Sequence, residues 1–211
     1  MKWKGSGSWR LCFVVSALFL LAGGPLHPGG TMAEMLAHPD WVLSHLLQLV
    51  SFAALLAGLV LFRKSASLPA RTRRWVGLAI IGTVLQVVEM AFHTAASLDH
   101  AHLVAGSATP VLSTHLVLAV ICYPLFALSI VGLIVAGMRD RVLGSRWIGW
   151  LGILGVAAHG AAPVLVVALK IEGARILFPC VLLFAFWLVA VALWPARVPA
   201  EGGLTEAPAG T

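Results

Sequence analysis

Five apolar runs, each close to the length needed to cross a bilayer, leave this chain few folds to choose from. They are Trp41–Phe62, Trp75–Ala96, Val111–Met138, Trp147–Leu169 and Ile176–Trp194, denoted helices A to E. About 20 residues at about 1.5 Å rise span the roughly 30 Å of hydrocarbon in a membrane. Composition agrees: 60% of the 211 residues are hydrophobic and 10% charged, against about 25% charged in soluble domains. The expected fold is therefore all-α and integral to the membrane, with five transmembrane helices. Polar punctuation fits these ends: Asp40 as N-cap of A, Thr109 as cap of C with Pro110 in its first turn, Ser145 before D, and Pro195 stopping E.

A sixth, shorter apolar run lies at the N-terminus. Lys2, Lys4 and Arg10 precede Leu11–Ala22, and Gly23, Gly24 and Pro25 follow. A basic start and a short apolar run have the form of a secretory signal, but the cleavage position is poor. Residues 1–24 are read as a signal peptide or an uncleaved signal anchor. Residues 25–40 form an outer segment, 41–194 the helical membrane domain, and 195–211 a disordered cytoplasmic tail rich in Pro, Gly, Ala and Glu.

Loop charges set the expected orientation. Of the 14 Lys and Arg residues, all but Lys170 and Arg175 fall before the first run, between A and B, between C and D, or after E. The positive-inside rule puts those segments and the C-terminus in the cytoplasm of a cell whose inner (plasma) membrane the chain crosses repeatedly. Trp41 would mark the outer interface, and Trp75, Trp147 and Trp194 the inner one. The formal charge of +6 is no nucleic-acid signal, because no basic patch is interleaved with aromatics. Cys12, Cys122 and Cys180 all lie in apolar runs, which argues against a disulfide framework. The Arg, Ala, Gly and Val bias suits a GC-rich bacterial genome.

Against this background one stretch stands out. Gln86, Glu89 and His93 on helix B are spaced by three and four, so a helix stacks them on one face. Glu89 is the only carboxylate inside any hydrophobic span, and an ionisable residue within a membrane helix is a functional candidate by default. Counting depth from the outer ends, His45 on A, His93 on B and His115 on C fall near one level, Glu89 one turn deeper, and His159 on D deeper still. Gln48 shares a face with His45, and Gly152 and Gly155 share one with His159. Helix E carries no such side chain. These positions predict a four-helix bundle of A to D around a polar, outward-facing half, with E peripheral.

The residue types point to particular chemistry. Neutral imidazole is the commonest ligand for haem iron, zinc and copper. Three imidazoles at one depth suit a zinc or copper ion, with Glu89 as fourth ligand or proton acceptor. Two imidazoles on facing helices suit haem b, with Gly152 and Gly155 making room. That layout is similar in architecture to four-helix membrane b-type cytochromes, although no sequence motif of such a family is matched. Haem or copper there would carry electron transfer with a membrane redox partner or quinone. A proton-coupled transporter using Glu89, or a non-catalytic subunit of a larger complex, are the alternatives. Asp99, His100 and His102 read as a solvated loop, and His27 has no partner in the sequence. No hydrolase nucleophile, H-E-x-x-H motif or phosphate loop occurs.

Overall fold

A computed structural model describes residues 7–64 and 68–194 of the chain. The expected tail 195–211, with Pro195 and Arg197, and the basic Lys2 and Lys4 lie outside the described residues. Among the described residues the chain is all-helical, without strands. The principal helices are α1 (Ser8–Gly23), α3 (Asp40–Arg63), α4 (Ala70–Ala95), α6 (Pro110–Arg139), α7 (Arg146–Pro163) and α8 (Val181–Leu193), with short α2 (Met32–Ala37) and α5 (His100–Val104) at one end. Six helical segments are long and apolar enough to cross a membrane: Ser8–Leu26, Asp40–Arg63, Ala70–Val104, Pro110–Arg139, Arg146–Ala168 and Glu172–Leu193.

The helices bury their polar side chains along with an apolar core, and turn further large apolar side chains outward. On α4 the buried face holds Val76, Ala79, Thr83, Gln86, Glu89 and Met90, while Leu78, Ile81, Val84 and Val88 are exposed. Water would penalise such an apolar exterior, whereas lipid matches it. The polar stripe anticipated on helix B is thus the inward face of α4.

Neighbouring helices follow the order α1, α3, α4, α6, α7, α8, and α8 packs back against α1. Helix E, expected at the periphery, is α8 and is held on both sides. Its Phe184 and Trp187 are fully buried. Helix association in lipid rests on close packing more than on polar side chains, so the absence of polar residues in E was no sign of a peripheral place. The glycines of α7 receive it. A Cβ on Gly152 would lie 2.6 Å from Trp187, and one on Gly155 would lie 2.5 Å from the Phe184 backbone nitrogen. Gly152 and Gly155, expected to make room for a cofactor, instead admit α8.

The N-terminal run is a full member of the bundle. Phe13, Ala17 and Leu20 are buried, and Phe13 presses on Gly58 of α3, where a Cβ would meet its ring at 2.7 Å. Hydroxyl groups stitch the same interface. Ser51 donates to the Ser16 carbonyl at 2.7 Å, the Ser16 and Ser51 hydroxyls are 3.0 Å apart, and Ser44 donates to the Gly23 carbonyl at 2.9 Å. At the far end the Arg10 guanidinium donates to the carbonyls of Ala192 and Trp194, each at 2.6 Å. Those carbonyls have no partner within α8, so Arg10 caps its C-terminus from α1.

Helix ends differ from expectation in instructive ways. Asp40 lies in the first turn of α3, and Pro39 occupies the cap position. Thr109 makes no side-chain cap on α6. The acceptor comes from the preceding connection: Asp99 Oδ2 takes the Leu112 N–H at 2.8 Å. Ser145 does cap α7, accepting from Ile148 N–H at 3.4 Å. The 97–109 connection is largely helical, because helix B continues through a short 3-10 turn into α5. Met35 and Leu36 of α2 and Leu112 of α6 pack around Trp41 and roof this end of the bundle.

Candidate metal centre

Four imidazoles and one carboxylate converge beneath that roof. Ring centroids step from His27 to His45 at 4.9 Å, from His45 to His93 at 4.0 Å, and from His93 to His115 at 3.9 Å with the last pair stacked. His115 Nδ1 donates to Glu89 Oε1 at 2.7 Å. His93 Nδ1 lies 3.6 Å from the same oxygen, beyond hydrogen-bond reach. Glu89 Oε2 accepts from Gln86 Nε2 at 3.0 Å. Three membrane helices, α3, α4 and α6, deliver these groups, and the segment leaving α1 delivers His27.

Local structure fixes the tautomers. His45 Nδ1 lies 2.6 Å from the Trp41 carbonyl, one turn back on α3. A carbonyl only accepts, so Nδ1 carries the proton and Nε2 presents a lone pair. That Nε2 is buried without a partner, and so are His93 Nδ1 and Gln86 Oε1. An unpaired polar atom away from water costs about 1–3 kcal/mol, and an ion at this place would remove the cost. His115 is held the same way by Glu89, and His27 by the Pro28 carbonyl at 2.9 Å. An imidazole pinned through one nitrogen and open at the other is how metal-ligating histidines are oriented.

Two overlapping trios have ligand atoms close enough to hold a metal ion. In His27, His45 and His93, and again in Glu89, His93 and His115, these atoms all lie within 4.8 Å of one another. Ligand atoms around a tetrahedral zinc are about 3.4 Å apart, so closure requires side-chain shifts on the order of an ångström. Glu89 is fully buried and His115 nearly so, while His27 is exposed at the rim. Trp41 and His45 crowd the inner face of His27, and that desolvation lowers its pKa below the ordinary 6.5, against the raising effect of its bond to Pro28.

The expected site residues divide. His45, His93, His115, Glu89 and Gln86 come together. Gln48 does not join them; its amide donates to Ser44 at 3.3 Å, on the side facing α1. His159 stands apart, its Nδ1 3.0 Å from the Phe178 carbonyl and its ring against Tyr123 at 5.1 Å. Cys122 is buried on α6 and unpaired. Asp99 caps α6, and neither His100 nor His102 belongs to a metal-competent trio among the described residues. Sequence reasoning missed His27, although the signal was there: it follows the first apolar run directly, at the level where Trp41 begins the next span. It also took Trp41 for an interface marker. The ring is buried against His45 at 4.2 Å and His93 at 5.3 Å.

Below the cluster the packing is largely apolar. Thr83 Oγ1 is spent on the Ala79 carbonyl at 2.7 Å. Phe52 of α3, Phe126 of α6 and Phe184 of α8 then meet edge to face, at 5.5 and 6.0 Å between centroids. No protein-family model, curated protein or solved structure matches this chain.

Proposed function

We propose that this is a membrane-embedded transition-metal protein whose ion is held in the cluster of His27, His45, His93, His115 and Glu89, and that it exchanges electrons with a membrane redox partner or quinone. The observation carrying this reading is the buried, unpartnered Nε2 of His45, on a ring fixed by its own backbone and flanked by the imidazoles of His27 and His93. Imidazole with one carboxylate is a donor set for zinc, copper or iron, and copper or iron supplies redox chemistry. Glu89 offsets one unit of the ion's charge in a place where net charge is expensive.

An ion fits better than haem. The imidazoles lie against one another at 3.9 to 4.0 Å between centroids, with no slot for a macrocycle between them, and α8 occupies the glycine stripe. The aromatic layer below favours a resident centre over a conduit, which weighs against the transporter alternative. Charge bias in the loops supports a site on the outer side of an inner membrane. The test is metal analysis with visible and electron paramagnetic resonance spectra of the detergent-purified chain. One copper or iron with nitrogen ligation is expected, lost in His93→Ala, which removes the ligand common to both trios. Protein purified with no bound metal and unable to take one up would overturn the reading.

A further inference from the structure

We propose that the four histidines and Glu89 form two overlapping three-ligand stations for a single divalent transition-metal ion, a mouth station of His27, His45 and His93 and an inner station of Glu89, His93 and His115, with His93 common to both. This rests on the metal-binding reading above and adds how the ion is captured.

Exposure is concentrated at the His27 end of the cluster, and His93 is half-buried. His27 is exposed and belongs to no membrane span, whereas His45, His115 and Glu89 are buried. An ion arriving from water therefore meets His27 first. The mouth station offers three neutral imidazoles, which leave a divalent ion at its full charge. The inner station replaces one imidazole with a carboxylate, so net charge falls by one as the ion moves into the less polar surroundings. Transfer is thus electrostatically favoured inward. His93 makes the step short. Its ring lies between those of His45 and His115, at 4.0 and 3.9 Å, so it can hold the ion while one set of partners is exchanged for the other. The aromatic layer of Phe52, Phe126 and Phe184 stops movement beyond the inner station. His27 is then the admitting ligand and not part of the resting coordination shell.

Cobalt(II) is a suitable probe because its visible absorption reports coordination. The full chain in detergent is mixed with Co(II) by stopped flow and its final spectrum and stoichiometry are recorded. Wild-type protein is expected to bind one ion in two phases. His27→Ala, a change at an exposed position, is expected to lose the fast phase, load about tenfold more slowly, and reach the wild-type final spectrum with one ion bound. Glu89→Gln is expected to keep the fast phase and stop at a different spectrum. Wild-type loading rates in His27→Ala, a changed final spectrum in that variant, or two ions bound at once by wild-type protein would each overturn the two-station proposal while leaving metal binding intact. If wild-type protein takes up no Co(II), the metal reading itself falls.

Discussion

The interface between α1 and α3 gives a prediction whose order and size follow from atom positions. Ser51 makes two bonds across it, donating to the Ser16 carbonyl at 2.7 Å and accepting within 3.0 Å of the Ser16 hydroxyl. Both serines are fully buried. Interhelical hydrogen bonds in membrane proteins average about 0.6 kcal/mol and reach about 1.7. Ser51→Ala removes both bonds and should cost about 1.2 kcal/mol. Ser16→Ala removes only the hydroxyl pair and keeps the carbonyl acceptor, for about 0.6 kcal/mol. The double variant loses nothing beyond Ser51→Ala, so the coupling energy should be about 0.6 kcal/mol. The measurement is reversible unfolding in mixed micelles, followed by tryptophan fluorescence; Trp9 of α1 lies against Phe62 of α3 at 4.8 Å. Equal costs for the two single variants with no coupling would refute the docking of α1. So would an intact mass showing that the purified chain lacks α1.

Other consequences test different parts of the molecule. Glu89→Gln keeps the side-chain shape but removes the charge and one of two good hydrogen bonds, and should weaken metal affinity by about 10- to 100-fold in competition with a chromophoric chelator. Asp99→Ala should cost about 1–2 kcal/mol in thermal or detergent unfolding by leaving the Leu112 N–H without its acceptor, whereas Thr109→Ala should be nearly silent. Glu34 accepts from the Thr31 backbone N–H at 2.7 Å and from the Thr31 hydroxyl at 2.8 Å, and these bonds hold its pKa below the ordinary 4.5. The unfolded state therefore takes the proton first: the capping contribution is complete above pH 4.5 and is lost as pH falls through the lowered folded value. Amide exchange across 31–37, corrected for intrinsic rate, should rise in that window and should already be raised at neutral pH in Thr31→Ala.

The apolar helical class, five of the six candidate spans and the inward stripe of α4 were legible in the sequence because each is a periodic or additive property. Hydropathy sums along a run, and Gln86, Glu89 and His93 share a face by spacing alone. Depth counting likewise brought His45 and His115 to the level of His93. Spacing could not show azimuth between helices. Gln48 shares a helix face with His45 yet turns toward α1, and His159 is engaged by the Phe178 carbonyl and Tyr123 instead of the cluster. A uniformly apolar helix such as α8 carries no polar marker of its neighbours, and the glycines that receive it read equally well as room for a cofactor. The Asp99 cap on α6 depends on a connection that folds back, and no local pattern records that. His27 was missed because depth was counted only for the full-length spans.

The clasp from Arg10 to the last carbonyls of α8 has a consequence for biogenesis. The first and last described helices are neighbours, so their contact can form only after everything between them has been synthesised. Until then α1 can lean on α3, but its other flank faces lipid. Closure of the bundle is therefore a late, post-insertion event. A ribosome stalled before Trp194 should leave an assembly open along the seam between α1 and α7, with the roof over the histidines already in place.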